Sequence, residues 1–226
     1  MGPRYADWLL CTRPIRDLDC NVSLALRFTQ LMIGLVAYGV AIALMVRAEI
    51  GISPWDVLSQ GLSQTTGVDF GIMTIIVGAV VLMLWIPLRQ KPGIGTILNI
   101  IFVGASAQVV LWLMPVQTDL VLRIALFVAG ISLLAIATGA YIGANFGPGP
   151  RDGLMTGLRA RTGWPIWIIR TGIEVIVVTI GWLLGGNVGI GTLVFALAIG
   201  PMVHVTMRWF APRPPRRRPS TEAVAA

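Results

Sequence analysis

The sequence predicts an all-α polytopic membrane protein: six transmembrane helices in two inverted-topology repeats of about 96 residues, each carrying one short re-entrant or interfacial helix. Three observations lead there. The chain is 56% hydrophobic and only 12% charged, with a mean hydropathy of +0.81, where a soluble domain has roughly 25% charged residues. Several apolar stretches approach the roughly 20 residues a helix needs to cross hydrocarbon. Third, "GISPWDVLSQGLSQTTG" (Gly51–Gly67) recurs as "GPGPRDGLMTGLRARTG" (Gly147–Gly163), with Gly51, Pro54, Asp56, Leu58, Gly61, Leu62, Thr66 and Gly67 all meeting identical partners at an offset of 96.

The first 22 residues have no apolar core or small-residue cleavage site, which argues against a secretory signal. "MGPRYA" lacks the Ser or Thr of a myristoylation signal. Cys11 and Cys20 fit no zinc or redox spacing and read as free thiols in a cytoplasmic segment. Spans are expected at roughly 27–47, 70–88, 94–114, 122–143, 165–184 and 189–208. Short polar helices are expected at 54–66 and 150–162. The chain then divides into an N-terminal segment (1–22), a first repeat (23–118), a second repeat (119–210) and a disordered, Pro- and Arg-rich tail (211–226).

Charge placement orients the chain. With Arg13, Arg16 and Arg27 in the cytoplasm, the later basic clusters fall on the same side: Arg89 with Lys91, then Arg151, Arg159 and Arg161, then the tail. The turns "PVQTDL" and "GGN" fall outside and carry no basic residue. Arg47 and Arg123 are exceptions, expected to snorkel from helix ends. Three spans per repeat is an odd number, so the second copy enters the membrane inverted, as in many secondary transporters. The offset persists elsewhere: "GIGT" at Gly93–Thr96 returns at Gly189–Thr192.

Both short helices open with helix-start chemistry. Ser53 is an N-cap, Pro54 the first helical residue and Asp56 an acid in the first turn; Gly149, Pro150 and Asp152 repeat the pattern. Two placements are open. The helices lie flat at the two surfaces with Asp56 and Asp152 as caps, or they dip inward so that their positive ends meet a substrate or ion. Arg151 joins these candidates by adjacency.

Other candidates lie within the spans. Glu174 falls near the middle of the fifth, where a carboxylate costs about 2.5–3.5 kcal/mol, and Arg170 is one turn earlier. They form either a static pair or part of a proton or substrate site. His204 matches Gln108 by offset, so the two either line a shared path or are ordinary hydrogen-bonding groups. Asn99 and Tyr38 are open in the same way. Gly139, Gly143 and Gly147 form a small-residue stripe expected to pack inside the bundle.

"GISPWDVLSQGLSQTTG", "GIGTILN" and "GANFGPGPRDGLMTGL" resemble the YczE branch of the YitT/YczE group of bacterial integral membrane proteins. The resemblance spans roughly Leu26 to Arg208 and is carried by the paired Gly51/Pro54/Asp56 and Gly147/Pro150/Asp152 motifs. It implies a multi-span protein of the bacterial plasma membrane and brings no substrate with it.

The function expected is a small secondary transporter or channel with its site between the repeats. The alternative is a non-transport membrane partner or scaffold subunit of a biosynthetic or uptake complex. Catalysis is not expected: Gly-x-Ser-x-Gly, His-Glu-x-x-His and Walker patterns are absent, and there is a single histidine. Neither a metal nor a cofactor is called for. The net charge of +7 lies largely in the two ends and points to anionic lipid, not nucleic acid. The partners expected are the bilayer, a small molecule or ion, and either a second copy or another membrane protein.

Overall fold

A computed structural model describes residues 24–210; Cys11, Cys20 and the Arg-rich tail lie outside the described residues. The helices run α1 (Leu24–Ala48), α2 (Pro54–Thr66), α3 (Phe70–Met83) with a one-turn continuation α4 (Trp85–Leu88), α5 (Ile94–Leu113), α6 (Leu120–Gly143), α7 (Pro150–Thr162), α8 (Ile166–Leu183) and α9 (Ile190–Phe210). Six are long and apolar enough to cross a membrane: α1, α3 with α4, α5, α6, α8 and α9. Their outer faces expose residues such as Ile33, Leu113, Val121, Leu183 and Ile190, an apolar surface suited to lipid and not to water. Exposed tryptophans sit at span ends: Trp112, Trp182, Trp164, Trp167 and Trp209. That is the position of an aromatic belt at the membrane interface.

The backbone repeats more faithfully than the side chains. The helices starting at Leu24, Pro54, Phe70 and Ile94 have counterparts starting at Leu120, Pro150, Ile166 and Ile190, each 96 residues on. Positive-φ residues among the described residues fall into four pairs at the same offset: Glu49 with Asn145, Gly51 with Gly147, Gly67 with Gly163, and Arg89 with Gly185. Gly51 (φ 133) and Gly147 (φ 122) adopt a conformation that residues with a Cβ rarely adopt.

The centre of the bundle is α1 packed on α6. Lipid is as apolar as leucine, so close backbone approach holds this contact more than a hydrophobic drive does. A Cβ on Gly34 would lie 3.3 Å from the Ala137 carbonyl oxygen and 3.0 Å from the Tyr141 nitrogen; one on Gly130 would lie 3.0 Å from the Ala41 oxygen. Residue numbers rise along one helix as they fall along the other, so α1 and α6 are antiparallel. Gln30 Nε2 donates to the Ala140 carbonyl at 2.8 Å at one end. At the other, Arg123 Nε donates to the Ala48 carbonyl at 2.7 Å.

Contacts between the halves are reciprocal. Gly95 N–H donates to Phe146 O at 3.0 Å, and the counterpart Gly191 N–H donates to Ile50 O at 3.0 Å. This is what the repeated "GIGT" does: each copy opens a span whose first turn binds the loop before the other half's short helix. Each short helix also packs on the other half, α2 along α8 and α7 against α3 and α4. In both the last turns are exposed; the first turn is buried in α2, while in α7 Arg151 and Asp152 are half-buried.

Candidate functional site

The site forms where the first turns of α2 and α7 meet. At α2, Ser53 is the N-cap (φ −63, ψ 150); its hydroxyl donates to Asp56 Oδ2 and accepts from the Asp56 N–H at 3.4 Å. Pro54 fills the first helical position, where a missing N–H costs nothing. At α7 the cap is Gly149, which has no hydroxyl. Asp152 therefore takes its hydrogen bond from elsewhere, the Tyr141 hydroxyl at 2.8 Å.

Asp56 is only 1% exposed, and a buried carboxylate needs a partner. It has one across the interface: Arg151 Nη2 lies 3.0 Å from Asp56 Oδ1. The guanidinium also stacks over Trp55, 5.4 Å from the ring centroid, a cation–π contact. Burial pulls Arg151 down, but the Asp56 charge and hydrogen bond, with Tyr38 and Asp152 nearby, outweigh it and hold its pKa above the ordinary arginine value. Trp85 Nε1 donates to the Pro150 carbonyl at 3.0 Å and fixes the start of α7.

Beside this pair is a cavity of about 70 Å³, room for several waters or a small solute. Val77 and Val81 of α3 and Ile100 and Val103 of α5 give it an apolar wall. Its polar groups come from Tyr38, Asn99, Tyr141, Arg151 and Asp152, with Trp55 and Thr74 also lining it. Tyr38 and Tyr141 meet edge to face with centroids 6.0 Å apart. Tyr38 lies within electrostatic reach of Asp56, Asp152, Arg151 and Arg170.

Of the residues singled out in the sequence, Asp56, Arg151 and Asp152 converge here, Tyr38 and Asn99 line the cavity, and Ser53, Gly149 and Pro150 build the helix caps. Gly51 and Gly147 shape the loops that cross between halves. Arg170 and Glu174 pair at 2.9 Å on α8 and do not line the cavity. Gln108 and His204 are not brought together, and neither lines it. Gln108 Oε1 accepts the Gly71 N–H at 2.7 Å, tying α3 to α5. His204 is exposed, with Nε2 2.9 Å from Arg208 Nη2. Arg47 and Arg123 do not simply snorkel. Arg47 donates to the Leu111 carbonyl and Arg123 to those of Ala48 and Glu49, so both serve helix C-termini that lack intrahelical partners. Gly139 packs against Thr206 and Gly143 against Phe210, but Gly147 lies past the end of α6 in a positive-φ loop against Gly93 and is not part of the stripe. Tyr141 was not singled out: an aromatic inside an apolar run looks like packing, and only its place one loop before the α7 cap hinted otherwise.

Residues 25–208 match the family described as "Family of unknown function (DUF6198)", and the chain belongs to it. It is 35% identical to an "Uncharacterized protein" of Haemophilus influenzae over 184 residues, 81% of this chain and 84% of that one. It is 32% identical to the "Uncharacterized membrane protein YczE" of Bacillus subtilis over 187 residues, 81% and 86% of the two chains. A second Bacillus subtilis relative, "Uncharacterized protein YyaS", is 26% identical over 181 residues, 77% of this chain and 89% of its own. No solved structure matches. With six apolar helices and a YczE relative, the chain is a YczE-like integral membrane protein.

Proposed function

We propose that this protein is a small secondary transporter or channel of the bacterial plasma membrane, built from two inverted-topology repeats. Its path runs through the cavity beside the Asp56–Arg151 pair. One observation carries the reading. The chain leaves α1 at Ala48 and α6 at Gly143. Gly143 lies beside Gln30, and the 18 residues from Gln30 to Ala48 rise roughly 27 Å. The two short helices thus start from opposite ends of the bundle, yet their first turns meet in a 3.0 Å ion pair. Each dips inward from its own side as a re-entrant half-helix. Half-helix ends facing each other at an inverted-repeat interface are the usual setting of transporter substrate sites.

The basic residues support cytoplasmic N- and C-termini: Arg89, Lys91, Arg159, Arg161 and Arg208 share one side. The protein acts on its solute by passage and not by catalysis. Purified protein in liposomes should take up at least one of a panel of labelled amino acids, short carboxylates and amines faster than empty liposomes, and Gly78→Trp should plug the cavity and stop it. Uptake by none of them, with stable co-purification of one membrane partner, would point instead to a scaffold subunit.

A further inference from the structure

We propose that the cavity binds a small zwitterion with a short apolar body, a molecule of amino-acid type. Its anionic group meets Arg151 and its cationic group meets Asp152. The proposal deepens the transport reading and rests on it.

The polar groups at the cavity are of two kinds. Several carry donors or polar groups left unused among the described residues. Trp55 lines the cavity, and its buried indole N–H has no acceptor among the described residues. Arg151 uses one N–H on Asp56, although a guanidinium carries five. The Tyr38 hydroxyl and the Asn99 amide make no hydrogen bond to the described residues. The other kind is an acceptor without a cation. Asp152 takes the Tyr141 hydroxyl and forms no salt bridge among the described residues, while Asp56 is already satisfied by Ser53 and Arg151.

Charge decides between ligand classes. Arg151 and Asp56 cancel, leaving Asp152 with one negative charge. The N-termini of α2 and α7 each add a partial positive charge of about +0.5. The sum is close to zero, so a lone anion or a lone cation would be left uncompensated, whereas a zwitterion would not. Its two poles must lie close together, since Arg151 and Asp152 both line one cavity of about 70 Å³. Amino and carboxylate groups on one carbon meet that demand. The apolar wall of Val77, Val81, Ile100 and Val103 suits a few carbons, and about 70 Å³ admits little more.

The test is thermal unfolding of the full chain in detergent with glycine, alanine or valine. Isovalerate and isobutylamine, which keep valine's carbon body but only one of its charges, are run beside them at equal millimolar concentration. At least one amino acid should raise the midpoint in a concentration-dependent way, neither singly charged analogue should match it, and Asp152→Asn should remove the shift. The analogue comparison uses the unaltered chain, so it stands even if that variant folds poorly. No shift with any of the three amino acids, or an equal shift from a singly charged analogue, overturns the proposal. A cysteine at Asn99, in a chain with Cys11 and Cys20 replaced by serine, separates this from the underlying reading. If it reacts with a water-soluble thiol reagent while no amino acid binds, the path stands and the ligand class falls; if it is unreactive, the path itself falls.

Discussion

The two halves of this molecule share a backbone plan but close differently. In the first half α3 lies tight on α5. A Cβ on Gly104 would come within 2.6 Å of the Gly71 carbonyl oxygen and 2.5 Å of Ile75, and one on Gly71 within 2.4 Å of Gln108. In the second half the counterparts of Gly71, Gly104 and Gln108 are Trp167, Gly200 and His204. There a Cβ on Gly200 would meet nothing within 4 Å, and Trp167 is 66% exposed. An indole cannot occupy a contact too close for a methyl group, so Trp167 keeps α8 off α9. The element bounds match at an offset of 96, while a few differing residues leave one half closed and the other splayed.

The cavity follows the same division. Tyr38, Asn99 and Tyr141 have counterparts Leu134, Phe195 and Met45, all buried and apolar. Thr74 and Gly78, which line the cavity, correspond to Arg170 and Glu174, which pair with each other instead. Of two sets of positions related by the 96-residue offset, one lines a polar chamber and, apart from that pair, the other is packed with apolar side chains.

The largest effect expected is at Asp56. Asp56→Asn strands the Arg151 charge in a buried setting and should cost about 3 kcal/mol or more, measured by thermal unfolding in detergent. Adding Arg151→Met should recover much of that loss, because removing both members of a buried pair costs less than removing one. If the double variant is no more stable than Asp56→Asn, the ion pair is not what joins the halves. Next comes the difference between the two seams. Gly104→Leu should destabilise by about 1–3 kcal/mol through overpacking, and Gly200→Leu should stay within about 0.5 kcal/mol. Equal losses at the two sites would mean that α8 does close on α9. Smaller again, Gln108→Leu leaves the buried Gly71 N–H unpaired, a loss of about 1 kcal/mol, while His204→Leu changes stability by less than about 0.5 kcal/mol. Smallest is Glu174→Gln. Its partner Arg170 is 43% exposed and can reach water, so the change should stay below about 0.5 kcal/mol.

Much of the fold was legible because the local signals agreed. Apolar runs bounded by Gly, Pro and Asp placed the spans, and Ser53-Pro54-Trp55-Asp56 with Gly149-Pro150-Arg151-Asp152 placed both short helices at their observed bounds. The site was only half legible. Asp56, Arg151 and Asp152 stand out because charge is rare in such a chain. Tyr38 stays open between two readings and Tyr141 does not stand out at all, because tyrosines on two different spans reveal nothing about meeting until α1 packs on α6. Gln108 and His204 are ordinary hydrogen-bonding groups, the second of the two readings, for the converse reason. Offset predicts equivalent backbone positions, but whether a neighbour covers them depends on Gly71 and Trp167, the second residues of α3 and α8.

The central claim, that the halves are inverted and meet across the membrane, is tested most directly by sidedness. In intact cells carrying a chain without Cys11 and Cys20, single cysteines at Thr118 and Asn187 should react with a membrane-impermeant thiol reagent, and one at Gln90 should react only after the membrane is opened. Labelling of Gln90 from outside, or protection of Thr118, would contradict the inverted arrangement.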